Sequence, residues 1–208
     1  ENDFENRESP SIKPFEKRLT ETSPEEIIEI VKAAGIVGMG GATFPTYEKI
    51  RSAIGKATSL IINGAECEPF ITADHRTMLE HPDEVLEGIR ILTRVFGLPL
   101  AHVGIEKNKP DAIELLSKKC GDDIKIVPLH TRYPQGAEKQ LIQSITGREV
   151  PPGGLPADVG CVVFNVFTAY SVYRAVYEGM PVIERVVTVA GDCVSTPSNF
   201  ICRIGTPL

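Results

Sequence analysis

The residues of this chain best suited to chemistry lie in two short runs, and the first is a glycine-rich loop at 38–46. Gly38, Gly40 and Gly41 stand directly ahead of a predicted helix that starts at Pro45. Glycine backbones can approach a ligand closely, and the free N–H groups at a helix N-terminus favour a bound phosphate. A glycine-rich turn ahead of a helix is also common where no ligand binds. The run therefore indicates a phosphate-binding loop, with a plain turn as the alternative.

The second run places polar side chains at the end of a predicted buried strand, 59–64. Asn63 lies at the end of the strand, and Glu66 and Glu68 follow it closely. Sheets of α/β proteins present their ligand-binding groups at the carboxyl ends of parallel strands. Carboxylates in such a place are otherwise ordinary solvated side chains. In this order and spacing, the two runs together predict one binding site.

Both runs carry a resemblance to a known family. They have the forms Gly-x-Gly-Gly-Ala-x-Phe-Pro-Thr and Asn-x-x-Glu-x-Glu-Pro, and three longer segments, 61–76, 133–141 and 165–170, extend the match. Through them the chain resembles the flavoprotein subunit of respiratory complex I and, more specifically, the C subunit of the Rnf ion-translocating electron-transport complex. The resemblance covers about residues 24–208 and implies a site for FMN and NAD(H).

The resemblance also implies which residues hold FMN. The glycine loop would bind the phosphate, with the dipole of the following helix behind it. Asn63, Glu66 and the backbone of Ala65 would line the flavin ring. Asn165 would face the ring too, although a residue between a strand and a helix ordinarily serves as an N-cap. The implied FMN-binding residues are Gly38, Gly40, Gly41, Lys49, Asn63, Ala65, Glu66, Gly136, Glu138 and Asn165.

Phe44 and Glu68 are the implied binding residues for the nicotinamide nucleotide, with Phe44 stacked on it. Without the resemblance, Phe44 is equally well explained as a core anchor, and Lys49 as a solvated helix lysine. Hydride transfer between nicotinamide and flavin is the cofactors' own chemistry. We therefore predict no catalytic acid or base and no metal ligand among these residues.

Two features of the chain depart from the complex I relatives. Those relatives have arginine where this chain has Met39, and an aromatic residue where it has Ile50. We expect weaker FMN binding from the first difference and less secure NADH binding from the second. The five cysteines have no Cys-x-x-Cys spacing, so the 4Fe-4S clusters that the resemblance implies are expected only C-terminal to this chain.

Composition limits the classes of partner. The chain has 208 residues, a net charge of −6 and a pI near 5.3, which argue against nucleic acid. No apolar run approaches the roughly 20 residues that span a bilayer. The resemblance implies other Rnf-type subunits as partners, ferredoxin indirectly, and a peripheral position on the cytoplasmic side of the bacterial inner membrane. Since the chain begins at Glu1 without a signal-peptide pattern, we expect it to be part of a longer protein.

Repeated strand-then-helix order predicts an α/β fold, a Rossmann-like three-layer domain with a mostly parallel sheet. We expect three parts: a charged tail or linker at 1–22, the FMN- and NAD(H)-binding domain at 23–181, and a β extension at 182–208. The family resemblance implies that the extension is the start of a soluble-ligand-binding β-grasp domain. Strands are predicted at 59–64, 101–106, 123–130, 161–165, 183–189 and 199–204, and helices at 24–34, 45–54, 83–96, 110–120, 136–146 and 167–177.

The leading functional hypothesis is an enzyme fragment that exchanges electrons between NAD(H) and ferredoxin through flavin and iron–sulfur clusters. A second hypothesis is the cobalamin-reducing flavoprotein of the same family, which shares both motifs. The continuation of the second run at 72–76 favours the Rnf branch. A third, of another class, is a docking module that keeps the fold but has lost the flavin.

Overall fold

The computed structural model describes residues 12–14 and 19–207. A 3₁₀ turn, Leu19–Glu21, precedes the first helix, and another, Pro156–Val159, precedes the fourth strand. The strands are β1 (Ser59–Gly64), β2 (Ala101–Glu106), β3 (Ile124–Leu129), β4 (Cys161–Asn165), β5 (Glu184–Val189) and β6 (Ser198–Arg203). The helices are α1 (Pro24–Ala33), α2 (Thr46–Ala53), α3 (Ala73–Glu80), α4 (Pro82–Phe96), α5 (Pro110–Lys119), α6 (Glu138–Thr146) and α7 (Val166–Tyr173), which continues as a π-helical turn, Arg174–Glu178.

Four strands form a parallel sheet in the order β3-β2-β1-β4. The chain moves outward in one direction from β1 to β3 and then returns to place β4 on the other side of β1. The strand order therefore reverses between β1 and β4. Crevices at the carboxyl ends of strands beside such a reversal are where open α/β sheets bind ligands.

Helices cover the sheet on both faces, as the near-continuous apolar strands require. Leu60 and Ile62 of β1 belong to the larger core, with the buried residues of α1, α2, α4, α5 and α7. Ile61, between them, points to the opposite face and packs with Leu141 and Ile142 of α6. The three-layer α/β architecture expected from the sequence is confirmed.

Helix boundaries follow local sequence signals closely in most places. Ser23 and Glu26 form the capping box expected at the start of α1. The one helix absent from the sequence-based expectation is α3. Its N-cap residue, Thr72, makes no side-chain capping bond. The side chain of Glu66, eight residues before Asp74, accepts hydrogen bonds there instead, from the N–H groups of Asp74 and His75 at 2.9 and 3.1 Å.

The strands β5 and β6 form a separate antiparallel hairpin outside the parallel sheet. Both were expected as strands, and β5 is followed by no helix. The hairpin touches the start of α3, where the Thr72 N–H donates to the Thr188 hydroxyl at 3.2 Å. Its assignment to a β-grasp domain, and the domain boundaries at 22/23 and 181/182, stay predictions. Residues 1–11 and 15–18 of the expected tail lie outside the described residues.

Candidate functional site

A cleft of about 580 Å³ runs along β4 to the carboxyl ends of β1 and β4, where the strand order reverses. This volume lies within the range of small-molecule sites, roughly 300–1,000 Å³. The glycine loop, α2, the start of α6 and the loop before β4 form its walls. Its lining includes Gly38, Gly40, Ala42, Phe44, Thr46, Lys49, Asn63, Gly136, Glu138, Leu155, Ala157, Asn165 and Thr168.

The glycine loop is closed by its own backbone. Gly38 N–H donates to the Phe44 carbonyl at 2.8 Å, and Thr43 N–H donates back to the Gly38 carbonyl at 3.2 Å. Gly41 has φ 109°, in the left-handed region that favours glycine. Within residues 12–14 and 19–207, the N–H groups of Gly40, Gly41 and Ala42 have no hydrogen-bond partner. The loop thus keeps three consecutive donors unused ahead of α2, the arrangement that binds anions.

Two asparagines stand side by side at the reversal point, because strand register pairs Asn63 of β1 with Asn165 of β4. The Asn63 amide N–H donates to the Gly136 carbonyl at 2.8 Å, and its oxygen accepts from Ala65 N–H at 3.1 Å. The Asn165 oxygen accepts from Phe167 N–H at 2.8 Å, the N-cap of α7. One N–H of the Asn165 amide donates to the Asp74 carboxylate at 2.6 Å. Each asparagine amide therefore has a fixed orientation and a second N–H, which has no partner among the hydrogen bonds of the described chain.

Gly136 is required for this packing. A β-carbon at this position would lie 2.5 Å from the Ala65 carbonyl oxygen, closer than such contacts allow. The loop before α6 can therefore approach the end of β1 only with glycine here. The predicted segment 136–138 thus lies beside the end of β1, although Ala65 itself is outside the lining of the cleft.

One ion pair lies inside the cleft. The Lys49 ammonium of α2 is 2.7 Å from a carboxylate oxygen of Glu138 at the start of α6. It also lies 5.7 Å from the centre of the Phe164 ring. The pair joins two residues predicted separately for the site and holds the lysine across the cleft between α2 and α6.

The two residues predicted for nucleotide binding lie in different places. Phe44 lines the cleft and is 53% exposed, so it is not a core anchor. Glu68 lies in a neighbouring cleft of about 350 Å³, with Glu66, Lys109 and Tyr133 among its lining residues. The structure therefore brings Phe44, but not Glu68, to the walls of the main cleft. Both assignments stay predictions.

Glu66 does not line the main cleft, because both of its carboxylate oxygens accept from the N-terminus of α3. What it positions is Asp74, whose carboxylate accepts from the Asn165 amide at 2.6 Å. Burial of the Asp74 carboxyl, and next the negative charge of Glu66, raise its pKa to about 7, although the bond from Asn165 and the charges of Arg185 and Lys109 oppose the rise. Sequence reasoning missed Asp74 as a site residue; the only signal was its place in the segment 61–76.

Met39, where the complex I relatives have arginine, is buried and does not line the cleft. Its N–H donates to the Thr168 hydroxyl at 3.0 Å. The guanidinium of Arg185, on β5, donates to the Met39 carbonyl oxygen. A cation therefore still reaches the glycine loop, from a part of the chain about 150 residues away in sequence.

Comparison with known proteins decides the family. The family model described as the Nuo51 FMN-binding domain matches residues 31–174, well over half of the chain. The chain belongs to this family. The match includes the glycine loop, both asparagines and the Lys49–Glu138 pair.

Similar individual proteins confirm the Rnf branch that the sequence resembles. The chain is 50% identical over 195 residues to the C subunit of the proton-translocating ferredoxin:NAD(+) oxidoreductase complex of Clostridium ljungdahlii, covering 93% of this chain and 43% of that protein. It is 46% identical over 201 residues to the C subunit of the Na(+)-translocating ferredoxin:NAD(+) oxidoreductase complex of Acetobacterium woodii, covering 95% and 45%. The chain thus spans somewhat less than half the length of these relatives.

A solved structure agrees with the fold. The air-oxidized NAD⁺-reducing NiFe hydrogenase superposes with a TM-score of 0.79 at 25% identity, covering 88% of this chain and 37% of that chain. Among the described helices, none is long and apolar enough to cross a membrane.

The residues present fit FMN. A phosphate would find three free N–H groups at the glycine loop and the dipole of α2 behind them. A flavin ring carries both donors and acceptors on its edge, and the two oriented asparagine amides offer N–H groups to it. The apolar walls from Val162 to Phe164 and at Leu155 would cover its faces.

Proposed function

We propose that this chain is the FMN- and NAD(H)-binding core of the C subunit of an Rnf-type electron-transport complex. The observation that carries the proposal is the loop with three unused N–H groups beside the paired asparagines, in a chain of the Nuo51 FMN-binding domain family. Gly38, Gly40, Gly41 and Lys49 would hold the phosphate end. Asn63, Asn165, Gly136 and Glu138 would hold the rest of the cofactor.

The chemistry of such a site belongs to the cofactor. When bound, FMN would supply a hydride acceptor for a nicotinamide and a means of releasing the two electrons one at a time. The chain's own residues position the two rings and exclude water between them. Phe44, half exposed at the cleft, is the proposed platform for the nicotinamide nucleotide. Glu68 would contact the part of the nucleotide that extends into the neighbouring cleft.

In the intact protein, we propose electron exchange between NAD(H) and ferredoxin. Iron–sulfur clusters C-terminal to this chain would carry the electrons, and the other subunits of the complex would hold the assembly peripherally on the cytoplasmic side of the membrane. The names of the two relatives, each the C subunit of a ferredoxin:NAD(+) oxidoreductase complex, support this interpretation. The alternatives are the cobalamin-reducing flavoprotein of this family and a docking module without flavin.

Titration of the purified chain with FMN tests the proposal. Flavin fluorescence should be quenched to saturation at one FMN per chain, and riboflavin, which lacks the phosphate, should bind more weakly. Replacing Lys49 with methionine should weaken FMN binding about tenfold, or about 1.4 kcal/mol, and leave riboflavin binding nearly unchanged. Lys56→Met is the matched control, since Lys56 lies exposed just after α2 and away from the cleft lining.

A folded chain that binds neither flavin would refute the proposal and favour the docking module. Equal affinity for FMN and riboflavin would show that the glycine loop is an ordinary turn.

A further inference from the structure

Asp74 is joined to the wall of the cleft by a short chain of hydrogen bonds. Glu66 fixes the first turn of α3 by accepting from two backbone N–H groups, one of them Asp74's own. The Asp74 carboxylate then accepts from the Asn165 amide nitrogen at 2.6 Å. Asn165 lines the cleft, whereas Asp74 and Glu66 do not. Asp74 therefore sits one hydrogen bond behind the surface that a ligand would touch.

This bond decides what Asn165 can offer to a ligand. Its oxygen is already used by the Phe167 N–H. One of its two N–H groups is used by Asp74, so the other is the group left to face the cleft. The strength of the Asp74 bond depends on whether the carboxyl is ionised, because a charged acceptor binds an N–H roughly twice as strongly as a neutral one.

The surroundings of Asp74 contain charges of both signs. Glu66, on the loop after β1, opposes its ionisation, whereas Arg185 of β5 and Lys109, just before α5, favour it. Lys109 is itself buried, and its ammonium lies 3.2 Å from the Glu106 carboxylate. Arg185 donates to the Met39 carbonyl oxygen.

The charged groups on the other elements packed against α3 have partners of their own. On α5, Asp111 is 2.8 Å from His75. On the turn after α7, Arg174 pairs with Glu178 and Glu184. On α4, Asp83 pairs with Lys119. Glu66 is therefore the main negative neighbour of Asp74, and burial together with that charge keeps the pKa of Asp74 near neutrality.

We propose that Asp74 is a proton-holding positioning residue of the cleft, which exchanges one proton with solvent and thereby changes the hydrogen bond that orients Asn165. The exchange forms or breaks one O–H bond of the carboxyl and transfers no electrons. The second part of the proposal rests on the proposed flavin function. Protonation of Asp74 changes the affinity of the cleft for flavin, so that this affinity depends on pH. A bound flavin excludes water near Asp74 and so favours the protonated, neutral carboxyl.

The first test uses the ligand-free chain and follows the Asn165 amide, the donor of the bond to Asp74. In ¹⁵N–¹H spectra recorded from pH 5 to 9, the side-chain amide of Asn165 should shift with a midpoint near pH 7. The side-chain amide of Asn63, bonded to the Gly136 carbonyl, is the internal control and should not shift in this range. In Asp74→Asn the Asn165 shift should disappear, and in Asp111→Asn it should remain.

The variant Glu66→Gln tests which of the two neighbouring carboxyl groups, that of Asp74 or that of Glu66, holds the proton. If Asp74 holds the proton, the midpoint should move to lower pH in Glu66→Gln, because one negative charge is removed. If the shift persists in Asp74→Asn and vanishes in Glu66→Gln, the proton belongs to Glu66 and the proposal is wrong. An Asn165 amide that does not titrate between pH 5 and 9 also overturns it.

The second test measures coupling to the ligand with riboflavin, since the phosphate of FMN has its own pKa near 6. Between pH 6 and pH 8.5 the dissociation constant of riboflavin should rise about threefold. This is the effect expected when bound riboflavin raises the pKa of Asp74 by a further half unit, about a factor of three in affinity. In Asp74→Asn it should stay constant. A dissociation constant that does not change with pH in the unmodified chain would overturn the coupling between Asp74 and flavin binding. Absence of any flavin binding would instead refute the proposed function, and the Asn165 titration in the ligand-free chain would then decide the role of Asp74.

Discussion

Replacing Asp74 with asparagine should stabilise the folded chain, and more strongly at alkaline than at acidic pH. In the folded chain the pKa of Asp74 is raised to about 7, whereas in the unfolded chain an aspartate has a pKa of about 3.9. Below pH 3.9 the carboxyl is protonated in both states and costs nothing. Between pH 3.9 and 7 the unfolded chain releases the proton and the folded chain keeps it. Folding therefore loses stability across this window as the pH rises, and the loss is constant above it.

The magnitude follows from the two pKa values. Each unit of difference corresponds to about 1.4 kcal/mol, so the cost is about 1.5 kcal/mol at pH 5 and about 4 kcal/mol at pH 8. The second value is an upper bound, because Asp74 as a residue is only partly buried. Asparagine resembles the protonated form: its carbonyl can accept from Asn165 while its NH₂ group faces Glu66. The variant thus removes the cost without losing the bond.

Urea unfolding of both proteins, in parallel at pH 5, 6, 7 and 8, measures the effect. The free energy of unfolding of Asp74→Asn should exceed that of the unmodified chain, by a margin that grows from pH 5 to pH 8 by up to about 2.5 kcal/mol. Asp111→Asn is the control, because the bond from His75 lowers the pKa of Asp111, and its effect on stability has the opposite sign. A margin that does not change with pH would show that Asp74 is ionised throughout, and the electrostatic reasoning about the site would fail.

Three further predictions concern the cleft and the hairpin. Phe44→Ala should weaken NADH binding to the flavin-loaded chain by about 1–3 kcal/mol, the value of one aromatic contact and its burial; unchanged affinity in calorimetry would place the nucleotide elsewhere. Gly40→Ala should fold normally, since a β-carbon there would lie 3.7 Å from that of Asn165, yet it should weaken FMN binding at the loop; undiminished flavin quenching would contradict the loop's role. Amide hydrogen exchange should be faster across 195–207 than across 59–64, because a two-stranded hairpin is marginally stable; equal protection would join the hairpin to the main domain.

Most of the fold could be predicted from the sequence because its signals are local. The strands 101–106 and 161–165 have the bounds that their apolar runs predict, and α4 ends at Gly97 in the left-handed conformation. Helix α3 could not be predicted in this way. Its first turn is capped by a carboxylate from the preceding loop, eight residues away, rather than by its own N-cap residue. A signal of that kind depends on tertiary structure.

The candidate site shows the same division. The glycine loop and Asn63 could be assigned from the residues and their family resemblance, because each lies at an element end that the sequence marks. The roles of Glu66 and Asp74 could not, since a glutamate in the motif looks the same whether it faces a ligand or caps a helix. Arg185 is a further case, because only the folded chain brings β5 against Met39. Side chains that act through another residue leave no pattern of their own in one sequence.

The pairing of Asn63 with Asn165 is the step that makes a site from separate motifs. Each asparagine follows a buried apolar strand, and each could serve a turn or a cap by itself. Strand order 3-2-1-4 makes their strands neighbours although about 100 residues separate them, and the register places the two asparagines directly opposite each other. This position lies at the crevice beyond the carboxyl ends of the strands, because β2 and β3 continue the sheet on one side of β1 whereas β4 lies on the other. A change that shifted β4 by one residue would turn Asn165 into the core. The glycine loop and the ion pair would then lose the asparagine beside them in the cleft wall, and Asp74 would lose its link to the cleft.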